Sequence, residues 1–600
     1  MKRDISKVML TAATLVGALA LAPSAFAAGT VYVNTPNDGD VNDSLCTLRE
    51  AIKSINNNAS YNGCVNPGGA DVIELRAETV NLTSAPPAST TRPRTIRGQG
   101  YARTTINGNL TATHFQVSSS ALNFHNLTLR NFFAAPLSIS AGASSSLSYV
   151  KVVGSSDAGS GGCIYNAGSV SISNAQFELC RAFSGGVLFN AANASASITE
   201  TTLLKNFGEH GVIYNASGAS LSIQSSTIGA NKSGNLSGAV YNRGGNVSIF
   251  ASTLAYNTCT DSATCATNGA HHLSNDPAGG GTMSIELSVV YNEIGFGRDC
   301  YGTITSYGKN AYSSGMGCNF SASGDRSVTN ARLNPITTSE NGYVNTPREA
   351  GGVGRVYVPL SNSPLVAQVS GPTIFGDQRG TRRKASSNDI GAVQRGLALL
   401  VVGNTTLSAG DTVLKNNLET LGFTVTVRQD SSAVASDANG KTLVVISESV
   451  TSGNVGNKFR DTPVGVLVLE LAVFDDMNMT TAANLGTLTA SQVSLPWGST
   501  ANFLANKSGY YGNITVTSTA VSMGWGTPPS GPYLLAQDLT TPSRSLAFYC
   551  FAGAPMVGGF VAPGRRVGAF ITDAAAASLQ PAGVRLLQEA ILLASGPTAF

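Results

Sequence analysis

The residues best suited to chemistry in this chain lie between positions 258 and 299. Asp261, His271, His272 and Asp276 stand close together, and Glu286, Glu293 and Asp299 follow. Adjacent imidazoles can bind a metal ion or take a proton, and two carboxylates a few ångström apart can cleave a glycosidic bond. If these groups converge, the chemistry is hydrolysis or elimination on a polysaccharide. If they do not, His271-His272 is a solvated pair on a loop. A second acidic group, Asp38, Asp40 and Asp43 in NDGDVND, offers the oxygen ligands calcium prefers. Calcium is the one cofactor the sequence suggests.

Other catalytic arrangements are missing. Hydrolysis or calcium-dependent lysis needs acids that stack in neighbouring columns, yet Glu178, Glu200 and Glu286 fall at three different offsets from the repeat introduced below. All five histidines (114, 125, 210, 271 and 272) precede residue 397, so Cys550, the one cysteine beyond it, has no local imidazole to activate it. VVGNTTLSAGD follows a strand and opens a helix, where an anion can bind, but it contains neither G-x-G-x-x-G nor G-x-x-x-x-G-K-[ST]. Trp497, Trp525 and Tyr510-Tyr511 are of the kind that stack on sugars, or fill a core.

Elements must hold such residues, and composition bounds which. Of 600 residues, 12% are charged and 42% hydrophobic, with a net charge of +3. That charge is too small for a nucleic-acid partner. Lys2, Arg3 and Lys7, the apolar run Val8–Ala22 and Ala25-Phe26-Ala27 form a secretory signal over 1–27, and no later run is long and apolar enough to span a membrane. The chain is expected outside the cytoplasm, at the cell surface, in the periplasm or released. Nine cysteines suit such a compartment. Their spacing predicts four local bridges, Cys46–Cys64, Cys163–Cys180, Cys259–Cys265 and Cys300–Cys318, and no CxxC zinc pattern occurs.

The middle of the chain repeats. Tyr165-Asn166, Phe189-Asn190, Tyr214-Asn215 and Tyr241-Asn242 step by 24, 25 and 27 residues. Ile172, Ile198, Ile223, Ile249 and Ile285 form a second column, and Phe177, Leu203, Ile228, Leu254 and Val290 trail it by five. Asn206, Asn231 and Asn257 follow three further on, with Cys180 in that place in the first coil. Columns in phase, written in short period-two segments, mean coils of about 25 residues stacked into a parallel β-solenoid. Crossovers of this kind are right-handed. The column step widens to 36 across 258–282, which reads as an inserted loop pinned by Cys259 and Cys265.

A solenoid needs its ends hidden. In CTLREAIKSI, Thr47 and Glu50 form a capping box, and Leu48, Ile52 and Ile55 share one face, predicting a cap helix over 46–56. CTLREAI resembles the N-terminal CSLREA motif of secreted bacterial right-handed parallel β-helix proteins, with Thr47 for the usual Ser. GDQRGTRRKASSNDIGAVQ, 376–394, resembles the DQRG…DIGA(F/V)E ending of the choice-of-anchor β-helix group, with Gln394 for the final Glu. The GG-x-(I/V)-(Y/F)-N coils resemble polymorphic outer-membrane protein repeats. Together these imply a right-handed parallel β-helix over 28–395 and export; they carry no catalytic residues to transfer.

From 397 the texture changes to strand–helix–strand: LALLVV, a helix capped by Ser408 with Leu414, Leu418 and Leu421 on one face, a stop at Gly422, then FTVTV, KTLVVISES and PVGVLVLEL, with a last helix near Ala582–Ala594. This predicts an α/β domain over 397–600 with a largely parallel sheet. It resembles a C-terminal module of secreted bacterial proteins, loosely similar to flavodoxin or glutamine-amidotransferase folds. The expectation for function is a secreted or cell-surface shaft that binds glycans or another surface by repeated weak contacts without catalysis. The alternative is a polysaccharide lyase or glycoside hydrolase near 258–299.

Overall fold

Alternating strands that stack in register need a neighbour above and below, and the computed structural model supplies one for each coil. It describes residues 29–597 except 90–91, 112–113, 268, 294–296, 336–344, 350, 371–375, 384–386, 497–501 and 530. The segment 1–27, expected from the sequence to be a secretory signal, and Trp497 lie outside the described residues.

The N-terminal part is a parallel β-solenoid. Each central coil carries three principal strands. In one coil these are Ile164–Asn166, Ser169–Ser173 and Gln176–Glu178, each paired in parallel with its counterpart in the next coil. The Ile column is continuous, with Ile172, Ile198, Ile223, Ile249 and Ile285 directly opposed along the axis. Phe177, Leu203, Ile228, Leu254 and Val290 are opposed in the same way on the following strand. These side chains fill one continuous core. The bend between the two strands is made by residues in the left-handed region, including Tyr149, Asn174, Glu200, Ser225 and Ala251 at φ 44° to 54°. Asn suits that conformation; the other side chains are held there by the ladders on either side.

The recurrent asparagines are buried amide ladders. Asn166 Nδ2 donates to Asn190 Oδ1 at 2.8 Å, Asn190 to Asn215 at 2.8 Å, Asn215 to Asn242 at 2.9 Å and Asn242 to Asn275 at 2.8 Å. A second ladder runs Asn206 to Asn231 to Asn257 at 2.9 and 2.8 Å. Cys180 stands in its column; its backbone N–H donates to Asn206 Oδ1, and its thiol is bonded to Cys163. In the first ladder Tyr165, Phe189 and Tyr214 stand one position before the Asn, and their rings stack at 5.6 and 4.9 Å.

All four expected disulfides form, leaving Cys550 buried and free. The cap helix is Leu48–Asn57 with the Thr47–Glu50 capping box in place, its buried Leu48, Ile52 and Ile55 facing the first coil.

The insertion is smaller than 258–282. Thr258-Cys259 pairs with Lys232-Ser233, and Leu273-Ser274-Asn275 pairs with Val240-Tyr241-Asn242, so the coil runs through the segment. The stretch from Cys259 to Leu273 is seven residues longer than Ser233 to Val240, and Asn275 to Thr282 is three longer than Asn242 to Asn246. The first excess holds the short helix Ser262–Thr267, tied by Cys259–Cys265.

Past the last coils the chain turns back along the solenoid's flank. Thr202 Oγ1 donates to Arg355 O, Gln378 bridges Thr202 and Thr227 at 2.7 and 2.6 Å, and Ala392 N–H donates to Thr253 Oγ1 at 2.9 Å. Tyr357 packs where Gly229 has no side chain, since a Cβ there would lie 2.4 Å from its ring. This strap ends in a buried knot. Asp377 accepts from Arg379 Nη2, Thr381 N–H and Gln394 N–H, and the Gln394 side chain accepts from Asp389 N–H.

The C-terminal domain has a parallel core of Phe423–Gln429, Gly396–Val402, Leu443–Ile446, Gly465–Val468 and Arg566–Ala569, in that spatial order. This is the 2-1-3-4-5 order of flavodoxin-like sheets. Antiparallel strands extend it beyond Arg566–Ala569. The domain is fixed to the solenoid by polar contacts: Arg103 to Tyr511 O at 2.8 Å, Asn126 to Asn506 at 2.9 Å and Gly352 N–H to Glu589 at 2.8 Å.

Candidate binding face

The residues picked out for chemistry do not assemble into one site. Asp261 is exposed and turns into its own loop, accepting from Ala263 N–H at 3.1 Å. Asp276 caps the turn Pro277–Gly279 and accepts the Tyr241 hydroxyl at 2.9 Å. Glu293 faces the Tyr256 and Tyr291 hydroxyls at 3.5 and 3.3 Å.

His271 and His272 are not a solvated pair on a loop; they are 1% and 0% exposed and enter the coil beside Leu273. His271 Nδ1 accepts Cys259 N–H at 3.0 Å. Asn257 spends its Oδ1 on Asn231, so its Nδ2 faces His272 Nδ1 at 2.9 Å. The His272 proton therefore sits on Nε2, which lies 3.6 Å from Asp299 Oδ1. Asp299 is completely buried and neither carboxylate oxygen has a hydrogen-bond partner. Burial pushes its carboxyl up to about 7, against a lowering by Ser313, and burial also holds His272 well below the usual imidazole range. No polymer can reach these groups.

The acidic N-terminal segment is not arranged around a cation. Asp38 Oδ2 takes Arg49 at 2.7 Å together with the Thr83 amide and hydroxyl, Asp40 pairs with Lys53, and Asp43 accepts Leu45 N–H. These carboxylates clamp the cap helix to the first coils. Among the described residues no group of three or more His, Cys, Asp or Glu is placed to hold a metal ion.

In the C-terminal domain the helix after Gly396–Val402 has its N-terminus filled internally. Ser408 caps Asp411 N–H and donates to Asp573, while the Asp411 carboxylate accepts the Ser447 and Ser449 hydroxyls at 2.5 and 2.8 Å. An anion would have to displace Asp573. Burial drives the Cys550 thiol up to about 12, far from a reactive thiolate. Tyr511 is buried and Trp525 lies under Arg544. Tyr510 borders a recess of about 530 Å³ with Thr515, Thr517, Ser518 and Gln580.

What remains open is a face of the solenoid. On the strands equivalent to Ser169–Ser173, inward Val, Ile and Leu alternate with outward hydroxyls. One outward column is Ser146, Ser171, Ser197, Ser222, Ser248 and Ser284, directly opposed coil to coil. Beside it runs Ser144, Ser169, Ser195, Ser220, Asn246 and Thr282. A third begins Ser148, Ser173, Thr199 and Gln224. Parallel pairing sets these groups ~4.8 Å apart along the axis and ~6.6 Å apart along each strand. The lattice is uncharged until Glu286, which lies 3.9 Å from Lys309 at one end. Ser169, Ser171, Ser220, Ser222 and Ser248 are exposed, whereas the neighbouring Thr202–Thr227–Thr253 column is buried under the strap. The serines are plain in the sequence; the signal that would have found the face is their period of two in phase with the Ile column.

No family model matches the chain, and no curated protein matches it. Among solved structures it is similar to the crystal structure of pectate lyase Pel9A, with 15% identity and a TM-score of 0.33 over 61% of this chain and 96% of that one. A likeness of that size carries no inference about activity.

Proposed function

We propose that this is an exported, non-enzymatic shaft that binds an extended polysaccharide surface through its serine face. The single observation that carries the reading is the exposed, uncharged hydroxyl lattice, kept in register over six coils while the adjacent hydroxyl column is covered by the chain itself. Such a face offers each sugar a donor and an acceptor, and its ~4.8 Å step along the axis is comparable to one pyranose residue. One contact is weak; repetition supplies avidity. Export is supported by four disulfides, and no helix among the described residues is long and apolar enough to cross a membrane. Cleavage near 258–299 is the other reading, but its histidines are inaccessible and Asp276 is engaged.

The test is sedimentation of the protein with insoluble cellulose, chitin, xylan and mannan, while the supernatant is followed for reducing ends and unsaturated products. Ser171→Lys with Ser222→Lys places two charges on the face and should sharply lower retention while leaving the unfolding midpoint in place. Retention unchanged in that variant sinks the proposal. Product release that survives it replaces binding with catalysis.

A further inference from the structure

A different face of the solenoid carries exposed rings. Beyond the second Asn ladder each central coil has a two-residue strand: Arg181-Ala182, Phe207-Gly208, Lys232-Ser233 and Thr258-Cys259, paired in that order. One coil below Arg181 stands Ser156, whose N–H donates to Phe132 O, so Phe133 lies one coil further down. Phe133 is 66% exposed and Phe183 52% exposed. Arg181 and Phe183 are two positions apart and both exposed, and so lie on the same side. The Arg181 guanidinium sits 5.2 Å from the Phe207 ring, and the Phe183 ring meets His210 edge-on at 4.3 Å. His210 is fixed from behind by Ser184 at 3.2 Å, and Cys163–Cys180 anchors the residue before Arg181. Rings and polar groups are thus held rigidly on a flat strip.

We propose that this strip is a second ligand site, a stacking subsite for neutral sugar rings of a chain lying along the solenoid axis. A pyranose has an apolar C–H face and a hydroxyl rim; the strip pairs exposed aromatic rings with Arg181 and His210 as hydrogen-bonding groups. Arg181 and Lys232 stand against Asp157, Glu209 and Asp261, so the strip carries mixed charge with a small negative excess and favours an uncharged ligand over an acidic polymer or a nucleic acid. Phe133 and Arg181 are two coils, ~10 Å, apart along the axis, a span that a short oligosaccharide bridges. The inference rests on the glycan reading above but concerns a separate face.

The two faces are told apart with soluble ligands. Titration calorimetry of the full exported chain with cellohexaose, xylohexaose, mannohexaose and chitohexaose should give binding of at least one. Phe133→Ala with Phe183→Ala should weaken it by about tenfold or more, the equivalent of ~1.4 kcal/mol, and Phe183→Trp should restore it. The Ser171→Lys, Ser222→Lys variant should bind the same soluble ligand as the parent. Absence of binding to all four, or equal binding by the double alanine variant, overturns the subsite whatever happens on insoluble polymers. Loss of sedimentation in the serine variant alone, with oligosaccharide binding intact, supports both sites as separate.

Discussion

Replacing Asp299 by Asn tests the buried His272–Asp299 pair. Asp299 has no exposed surface, so burial favours its neutral form and raises its carboxyl from 3.8 to about 7, outweighing a lowering by the Ser313 hydroxyl. A folded-state value above the unfolded one means that the native state holds a proton the unfolded chain releases. The penalty is nil below pH ~3.8, grows as pH rises to ~7, and is constant above that. Roughly three pH units of displacement correspond to ~4 kcal/mol. If His272 takes the proton instead across the 3.6 Å gap, the pair still holds one proton, and the count is unchanged. Asp299→Asn removes the titration and keeps the shape. The variant should therefore gain on the parent by up to ~4 kcal/mol between pH 4 and pH 8. Because solenoids open locally, the assay is amide exchange at Leu273 and Asp299, whose N–H groups donate to Asp299 O and Met316 O, alongside urea midpoints at four pH values. Parallel pH curves for parent and variant would refute the reasoning.

Two further outcomes follow from the ladders and the bridges. Asn215→Ala removes the amide between Asn190 and Asn242 and strands the Asn242 oxygen, so it should cost about 1–3 kcal/mol in urea unfolding, whereas Ser222→Ala on the exposed face should cost little. Cys163→Ala with Cys180→Ala opens a loop of separation 17 and should cost about 3 kcal/mol, read as a lowered midpoint in urea under non-reducing conditions.

The solenoid was legible because its interior is periodic. The Ile column and the two Asn columns appear in the sequence as they appear in space, since a parallel ladder maps sequence offset directly onto axial position. The insertion was read too large for a related reason. His272-Leu273-Ser274-Asn275 keeps the inward Leu and the ladder Asn but has Ser where other coils have Tyr or Phe, so the outward position, which packing does not dictate, hid the coil. The same substitution concealed that His271 and His272 lie inside, where Ala239 leaves room in the preceding coil. Asp38, Asp40 and Asp43 read as free oxygen ligands in the sequence because Arg49, Lys53 and Thr83 are brought to Asp38 and Asp40 only when the cap helix docks.

The open face shows where sequence reasoning stops. Two outward columns of hydroxyls run side by side, Ser171–Ser197–Ser222 and Thr202–Thr227–Thr253, and by composition either is a polar surface. Their fates differ through Gln378, which reaches Thr202 across 176 positions and Thr227 across 151, and through the Gly229 gap that admits Tyr357. No local pattern encodes contacts of that range. Once the strap is seated, the threonines have partners and lie out of solvent, while the serines keep much of their hydrogen-bonding capacity facing water. A ligand that competes with water at many equivalent hydroxyls must itself repeat, and a polysaccharide chain repeats at nearly the step of the coils. The strap therefore decides which lattice can meet a ligand, because it leaves one open and closes the other.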